Sequence, residues 1–185
     1  MGKLSAFMSI TLNGYFEASP GDISWHRHGQ EAAAFSAESL KSGNTLLFGR
    51  STYEQMASFW PTEMAQQRFP VIAEGMNKAA KVVFSRTLEH VSWSNTRLVK
   101  DGVIEEVRRM KAQPEDITLL GSGSLLTQFA EVGLMDEYQI MIDPVAIGKG
   151  TTLFSGIKKT LSLQLSHSRV HDSGVILLFY RPQDS

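Results

Sequence analysis

An arginine and two hydroxyl residues directly follow a short apolar run in NTLLFGRSTYE (residues 44–54). The run LLF predicts a buried strand, and Gly49 ends it where a helix-forming segment begins. The free N–H groups of a helix N-terminus attract anions, and Arg50 and Thr52 add hydrogen-bond donors at that point. This stretch therefore suits a bound phosphate.

A local interpretation of the same stretch needs no ligand. Ser51 is followed three residues later by Glu54, which is the spacing of a capping box at a helix N-terminus. Arg50 would then pair with a carboxylate on the surface. On this stretch alone the structural interpretation is favoured, so the phosphate hypothesis depends on whether other strand ends carry the same chemistry.

A glycine-rich turn follows a second predicted strand, in LLGSGSLL (119–126). Gly121 and Gly123 would let the backbone approach a pyrophosphate closely. The turn lacks the third glycine of the Rossmann fingerprint and the Gly-Lys-Ser/Thr of a P-loop. By itself it is equally typical of a tight strand-to-helix connection.

A third strand end, in VVFSRT (82–87), carries Ser85 and Arg86. A hydroxyl and a guanidinium suit a phosphate monoester, although an ordinary exposed loop explains them as well. Three strand ends that suit anions, in one small domain, favour a dinucleotide with several phosphates over three coincidences.

The elements that would position these groups alternate between strand and helix and then become mainly strands. Strands are predicted at 3–12, 45–49, 81–85, 116–121, 136–143, 160–166 and 174–181, and helices at 30–42, 51–59, 102–113 and 124–133. Residues 60–80, with Pro61 and Pro70, predict only a short helical turn. This order favours one α/β domain over 1–185, with a mostly parallel sheet and an antiparallel C-terminal hairpin. Ligands of such sheets bind beyond the carboxyl ends of the strands.

Composition narrows the function classes. The 185 residues are 42 % hydrophobic and 20 % charged, with a net charge of −1, which gives no reason to expect nucleic acid or an anionic membrane as a partner. The absence of cysteine excludes disulfides, thiolate metal sites and cysteine nucleophiles. The N-terminal segment lacks a signal-peptide core, so we expect a soluble cytoplasmic protein.

The ordered motifs resemble the dihydrofolate reductase-like family, in particular the reductase domain of the riboflavin-biosynthesis deaminase–reductases. The matching stretches are SITLNGYF (9–16), LLFGRSTYE (46–54), KVVFSRTL (81–88), LLGSGSLLTQF (119–129) and GLMDEYQIMIDPVAIGKGTTLF (133–154). The resemblance implies a three-layer αβα fold with a mostly parallel central sheet, a stand-alone homodimeric reductase, and NADPH as cofactor. The zinc-binding motif of a deaminase is absent, so deaminase activity is not expected.

The resemblance also implies which residues would contact NADPH. The positions that match the family's cofactor site are Asn13, Gly49, Arg50, Thr52, Ser85, Arg86, Gly121, Ser122, Gly123, Ser124 and Leu125. Arg50 and the glycine-rich turn would flank the pyrophosphate, Arg86 would face the 2′-phosphate, and the turn from Asn13 to Tyr15 would line the nicotinamide.

The substrate side is predicted around DISWHRHGQE (22–31). Glu31 is the candidate catalytic carboxylate, one position past the best alignment at Gln30, with Trp25 and Tyr15 as candidate substrate contacts. A solvated Glu31 in the first helical turn, and a Trp25 that only covers the core, remain equally open. Two histidines, at 26 and 28, lack a third ligand nearby, so no metal site is expected.

The sequence thus predicts an NADPH-dependent reductase of a small pterin- or aminopyrimidine-like heterocycle. The implied activity is similar to that of 5-amino-6-(5-phosphoribosylamino)uracil reductase and of dihydrofolate reductase. The alternative is a non-catalytic module that binds a nucleotide or small ligand with the same fold. Asp143, before Pro144, is expected to shape a turn.

Overall fold

The computed structural model describes residues 1–27 and 29–183, and the side chain of Gln30 is outside the description. The strands are β1 (Leu4–Thr11), β2 (Tyr15–Glu17), β3 (Thr45–Gly49), β4 (Lys81–Phe84), β5 (Thr96–Val99), β6 (Ile117–Leu120), β7 (Glu137–Asp143), β8 (Thr151–Thr152), β9 (Leu163–Val170) and β10 (Ile176–Pro182). The helices are α1 (Gln30–Leu40), α2 (Arg50–Phe59), α3 (Glu63–Arg68), α4 (Pro70–Lys78), α5 (Val103–Lys111) and α6 (Gly123–Glu131).

The chain forms two compact units. The first contains Met1, Gly2, all elements from α1 to α5, and the start of β6. The second contains β1, β2, the end of β6 and the elements from α6 onwards. The expectation of one domain over 1–185 stays a prediction.

Three parallel strands form the sheet of the first unit, in the order β5-β4-β3. β3 and β4 are continuous apolar runs, and Phe48 and Val83 are completely buried, as expected of parallel strands covered on both faces. The register pairs Gly49 with Phe84. The two strands therefore end side by side, and the residues that follow them, from Arg50 and from Ser85, leave the sheet at one edge.

The helices α3 and α4 occupy the segment for which only a short helical turn was predicted. The side chain of Thr62 accepts a hydrogen bond from the N–H of Ala65 and so caps α3. Pro70 is at the first position of α4, where proline fits because no N–H is needed there. Pro70 thus marks a helix boundary in this segment, where the sequence analysis predicted only a short helical turn.

Lys81, the first residue of β4, is a buried charge in the first unit. Its side chain is 1 % exposed, and Nζ donates to the carbonyls of Met76 and Ala79 at 2.7 Å each and of Asn77 at 3.3 Å. The ammonium also lies 4.5 Å from the ring centroid of Trp93. Burial lowers the pKa of Lys81 to about 8. The lysine therefore supplies donors to carbonyls at and beyond the C-terminal end of α4.

The second unit has the strand order β1-β7-β10-β9. β1 and β7 are parallel, whereas β10 is antiparallel to both β7 and β9. Alternate residues of β1 from Leu4 to Met8 are buried, as expected of a strand with one face on the core. The register pairs Thr11 with Asp143, so β1 and β7 also end side by side. The parallel strands and the antiparallel C-terminal hairpin agree with the predicted α/β class.

Candidate active site

Arg50 begins α2 at the end of β3 and bridges two neighbours in the first unit. Its Nε donates to Glu54 Oε1 at 2.9 Å, and a terminal guanidinium nitrogen donates to Thr87 Oγ1 at 2.7 Å. The side chain is 51 % exposed. The predicted capping box was wrong, because the N-cap is Gly49, which has no side chain, and Glu54 pairs with Arg50. The surface pair of the local interpretation is thus present. Thr52 is half-buried in the first turn of α2.

Ser85 organises the loop after β4. Its Oγ accepts hydrogen bonds from the N–H groups of Thr87 at 3.3 Å and Leu88 at 3.0 Å, a local turn typical of serine. Because Thr87 also contacts Arg50, the ends of β3 and β4 are joined by a chain of polar contacts. Thr87 was not singled out from the sequence. Its signal was its place two residues after Ser85, within the same strand-end loop.

Arg86 extends from this loop into solvent. Its side chain is 86 % exposed, and Nε lies 3.6 Å from Oδ1 of Asp101, which is itself 85 % exposed. Such a pair contributes little to stability, so Arg86 can exchange this carboxylate for another anion at small cost. The structure brings Arg50, Ser85 and Arg86 to one edge of the first unit.

The glycine-rich turn of the second unit precedes α6. Gly121 and Ser122 both have left-handed backbone conformations, with φ of 60° and 63°. Serine thus keeps a conformation that glycine adopts more readily. Within the described part of the chain, Ser122 makes no side-chain cap to α6. A Cβ on Gly123 would meet the Leu153 carbonyl only at 3.5 Å, an ordinary contact.

The first residues of α6 differ in what they could offer a ligand. Ser124 is exposed, whereas Leu125 is buried in the core. Leu125 could therefore contribute only its backbone N–H. The N–H groups of a first helical turn have no carbonyl partner within their own helix, which suits them to a phosphate.

Asn13 stabilises the turn after β1 in the second unit through side-chain hydrogen bonds. Its Nδ2 donates to the carbonyl of Ile147 at 2.8 Å, and its Oδ1 accepts from the N–H of Ile147 at 3.2 Å and from Thr11 Oγ1 at 2.8 Å. The Thr11 hydroxyl accepts in turn from the N–H of Tyr15. Asn13 therefore shapes the turn, and Tyr15, half-buried, begins β2.

The predicted substrate residues fall in both units. Glu31 is half-buried in the first turn of α1, in the first unit. Trp25 belongs to the second unit and is half-buried. Its indole Nε1 is buried and has no hydrogen-bond acceptor among the residues that the structure describes. His28 and the side chain of Gln30, which were weighed as a metal ligand and as the aligned position for the carboxylate, lie outside the described residues.

A buried histidine–aspartate pair in the second unit was missed by the sequence analysis. Asp143, at the end of β7, is completely buried, and its Oδ2 lies 2.8 Å from Nδ1 of His26, whose side chain is 10 % exposed. Its Oδ1 accepts from the N–H of Arg27 at 3.0 Å. Asp143 does help shape a turn, since its carbonyl accepts from the N–H of Val145. The signal was its place at the carboxyl end of a strand, where a buried carboxylate needs a partner.

The sequence pattern of the RibD C-terminal domain matches residues 3–177, and the chain belongs to that family. The protein YyaP of Bacillus subtilis (strain 168), itself uncharacterized, is 29 % identical over 174 residues, which are 94 % of this chain and 91 % of YyaP. The uncharacterized YwjB of the same organism is 24 % identical over 182 residues, 97 % of this chain and 98 % of YwjB.

Solved structures of related fold confirm the predicted dihydrofolate reductase-like α/β fold. A putative riboflavin biosynthesis protein from Shewanella sp. PV-4 superimposes with a TM-score of 0.73 at 20 % identity, covering 98 % of this chain and 99 % of that one. Dihydrofolate reductase from Enterococcus faecalis, complexed with NADP(H) and RAB-propyl, gives a TM-score of 0.66 at 19 % identity, covering 99 % and 98 %. A pyrimidine reductase-like protein from Corynebacterium diphtheriae gives 0.69 at 13 %, covering 100 % and 93 %.

Residues 1–27 and 29–183 include no helix that is both long enough and apolar enough to cross a membrane.

Proposed function

We propose that the protein is an NADPH-dependent reductase of a small heterocycle of the pterin or aminopyrimidine type. Family membership and the similarity to a dihydrofolate reductase that binds NADP(H) support a reductase. The observation that carries the cofactor assignment is the pairing of Gly49 with Phe84, because it brings Arg50, Ser85 and Arg86 to one edge of the first unit. Cationic and hydroxyl donors at the carboxyl ends of parallel strands suit a phosphorylated ligand.

The donors of the first unit fit the charged groups of NADPH. Arg50 would bind the pyrophosphate through guanidinium N–H groups, and Thr52 would add its hydroxyl. Arg86 and Ser85 would hold the 2′-phosphate. The contacts that Arg50 and Arg86 make with Glu54 and Asp101 are solvent-exposed ion pairs, so exchanging them for phosphate contacts costs little.

In the second unit, a further set of donors matches positions of the family's cofactor site. The residues are Gly121, Ser122, Gly123, Ser124 and Leu125, of which the last three open α6. Their backbone N–H groups and the exposed Ser124 hydroxyl are a donor set that suits pyrophosphate oxygens. Asn13 holds the adjoining turn after β1 rigid, through its two hydrogen bonds with the backbone of Ile147.

The substrate side requires a group that orients a flat heterocycle. The Glu31 carboxylate would accept two parallel hydrogen bonds from an N–C–N edge, a geometry that also orients the ring. Trp25 and Tyr15 would provide aromatic surface for stacking. When bound, NADPH would supply the hydride for reduction of a carbon of the ring or of its ribosylamino substituent.

Calorimetry with NADPH tests the cofactor assignment directly. We expect a dissociation constant in the micromolar range, which corresponds to a binding free energy of about −8 kcal/mol. Binding should also raise the thermal unfolding temperature. Absence of both heat and thermal protection at millimolar NADPH would refute the cofactor assignment in full.

Turnover separates the reductase from the alternative of a binding module. Oxidation of NADPH is followed with dihydropterins and with aminopyrimidines that carry a ribosylamino group. Substrate-dependent loss of NADPH supports the reductase. Tight NADPH binding without turnover of either substrate class would favour the non-catalytic module.

A further inference from the structure

We propose that His26, held in orientation by Asp143, donates the proton that accompanies hydride transfer to the substrate. This proposal rests on the proposed reductase function. A reduction of a C=N or C=O bond needs a hydride at carbon and a proton at the heteroatom, and the residues predicted from the sequence include no assigned proton donor.

The first step of the argument is the orientation of the ring. Asp143 uses one carboxylate oxygen for His26 Nδ1, at 2.8 Å, and the other for the backbone N–H of Arg27, at 3.0 Å. Two bonds from one carboxylate to adjacent residues hold both the ring and the backbone that carries it. The geometry assigns a proton to Nδ1 of His26, so that proton exchange with a ligand takes place at Nε2.

The second step is electrostatic. Asp143 is completely buried and the His26 side chain is 10 % exposed, so solvent screens the attraction between them only weakly. When a histidine beside a buried carboxylate takes up a proton, its charge is paired, as in catalytic histidine–aspartate pairs. A lysine or arginine would neutralise Asp143 without changing its own charge. Histidine, in contrast, can give up a proton and remain hydrogen-bonded to the carboxylate.

The third step is the position of the pair. Asp143 ends β7, and its register partner is Thr11, the last residue of β1. The turn that follows Thr11 runs through Asn13 to Tyr15, the segment that the resemblance places beside the nicotinamide. The pair therefore adjoins the carboxyl ends of two parallel strands, where ligands of α/β sheets bind.

A fourth observation comes from the residue before the histidine. The Trp25 ring lies edge-on to the His26 ring, with centroids 5.9 Å apart. Among the described residues no acceptor pairs with the buried Trp25 Nε1, and a buried unpaired N–H is costly. A carbonyl or ring nitrogen of a heterocyclic substrate is an acceptor of the kind that this N–H requires.

The proposed step balances. The substrate's C=N or C=O bond gains a hydride at carbon and a proton at nitrogen or oxygen, and oxidation of the dihydronicotinamide to nicotinamide provides the two electrons. The proton leaves Nε2 of the imidazolium, which becomes a neutral imidazole still bonded through Nδ1–H to Asp143. Solvent returns a proton to Nε2 before the next turnover.

His26→Gln tests the proposal through a comparison of turnover with cofactor affinity. We expect kcat to fall by 10²–10⁴-fold, the range typical of a lost general acid, while the NADPH dissociation constant changes less than threefold. His90→Gln is the matched control, because His90 is exposed in the first unit and should leave kcat unchanged. A kcat for His26→Gln within threefold of wild type would overturn the proposal.

Chemical rescue decides the case in which His26→Gln is also misfolded or fails to bind NADPH. In His26→Gly, added imidazole should restore turnover with saturating dependence, which a purely structural role would not produce. Failure of imidazole and its methyl derivatives to restore any turnover overturns the proposal.

Asp143 is a positioning residue, and nitrogen NMR of the ring tests that role without turnover. Wild type should show a proton on Nδ1 of His26, bonded to Asp143, and Asp143→Asn should lose this preference and slow turnover. A wild-type ring that carries a proton on Nε2 but none on Nδ1 would overturn the assignment. Absence of turnover in wild type with every substrate would instead refute the reductase function. Failure of the proton-donor proposal and failure of the reductase function are therefore distinguishable.

Discussion

The carboxyl ends of the strands carry charge in two different ways in the two units. In the first unit, β3 and β4 are followed by Arg50 and Arg86, whose side chains are 51 % and 86 % exposed and pair with exposed carboxylates. In the second unit, β7 ends in Asp143, which is completely buried and bonded to His26. Exposed pairs exchange partners readily, whereas a buried pair is fixed. The first arrangement suits reversible binding of an anion, and the second suits a group held for chemistry.

The largest expected difference is in stability. Asp143→Ala should lower the free energy of unfolding by about 3 kcal/mol, because it removes one partner of a buried pair and leaves the Arg27 N–H without its acceptor. Urea unfolding measures the change. Asp101→Ala is the matched control, since it removes an exposed aspartate and should cost about 0.5 kcal/mol or less. Equal losses in the two variants would remove the basis of the comparison.

Lys81 is a buried charge in the first unit. It therefore tests whether a charge contributes to stability according to its burial or according to the unit in which it lies. The pKa of Lys81 is about 8 in the folded protein and near 10.5 in the unfolded chain, so the unfolded chain binds more protons between these values. The free energy of unfolding should therefore rise with pH, by about 2 kcal/mol from pH 7 to 9.5.

The Lys81→Met variant isolates this contribution, because it removes the titrating group and keeps an apolar side chain of similar length. The difference in unfolding free energy between wild type and variant should follow the predicted rise. The titration stops at pH 9.5 because burial raises the pKa of Tyr138 to about 12, which acts in the opposite direction above pH 10. A difference that does not change with pH would show that Lys81 is not held as the structure indicates.

Arg50→Ala should weaken NADPH and NADH alike by about 1.5 kcal/mol, because both cofactors carry the pyrophosphate. Calorimetry with both cofactors measures the effect. Glu54→Ala serves as control, since it removes the exposed partner of Arg50 and should leave or slightly improve binding. Unchanged cofactor binding in Arg50→Ala, together with a lower unfolding temperature, would support the structural interpretation of this arginine.

Arg86 should decide the preference between the two cofactors, which differ by the 2′-phosphate alone. Wild type should prefer NADPH at least tenfold, equivalent to about 1.4 kcal/mol, and Arg86→Ala should lose most of that preference by weakening NADPH only. High salt should imitate the substitution because the side chain is exposed. Parallel weakening of NADPH and NADH in the variant would contradict this role.

Local patterns were enough to predict most elements and the groups at the ends of β3 and β4. Continuous apolar runs identified the buried strands, and the order of the elements identified the α/β class. Two helices, α3 and α4, lie where only a short helical turn was predicted, and Pro70 starts the second of them. The capping box failed because Glu54 has a better partner in Arg50.

The His26–Asp143 pair could not be read from local patterns, because its members are separated by 117 positions in the sequence. The sequence analysis considered His26 only as a metal ligand, which it rejected, and Asp143 only as a turn residue before proline. Only the register of β1 with β7 places Asp143 beside the end of β1. The burial of Lys81 could not be predicted either, because a lysine at the start of a strand is ordinarily exposed.

The most direct test of the account measures kcat and the NADPH dissociation constant side by side in Arg50→Ala and His26→Gln. The account predicts that Arg50→Ala raises the dissociation constant about tenfold with kcat largely retained at saturating NADPH, whereas His26→Gln lowers kcat at least a hundredfold with the dissociation constant retained. The reverse pattern, or equal effects of both variants on both quantities, would contradict the division between exposed charges that bind the cofactor and a buried pair that acts on the substrate.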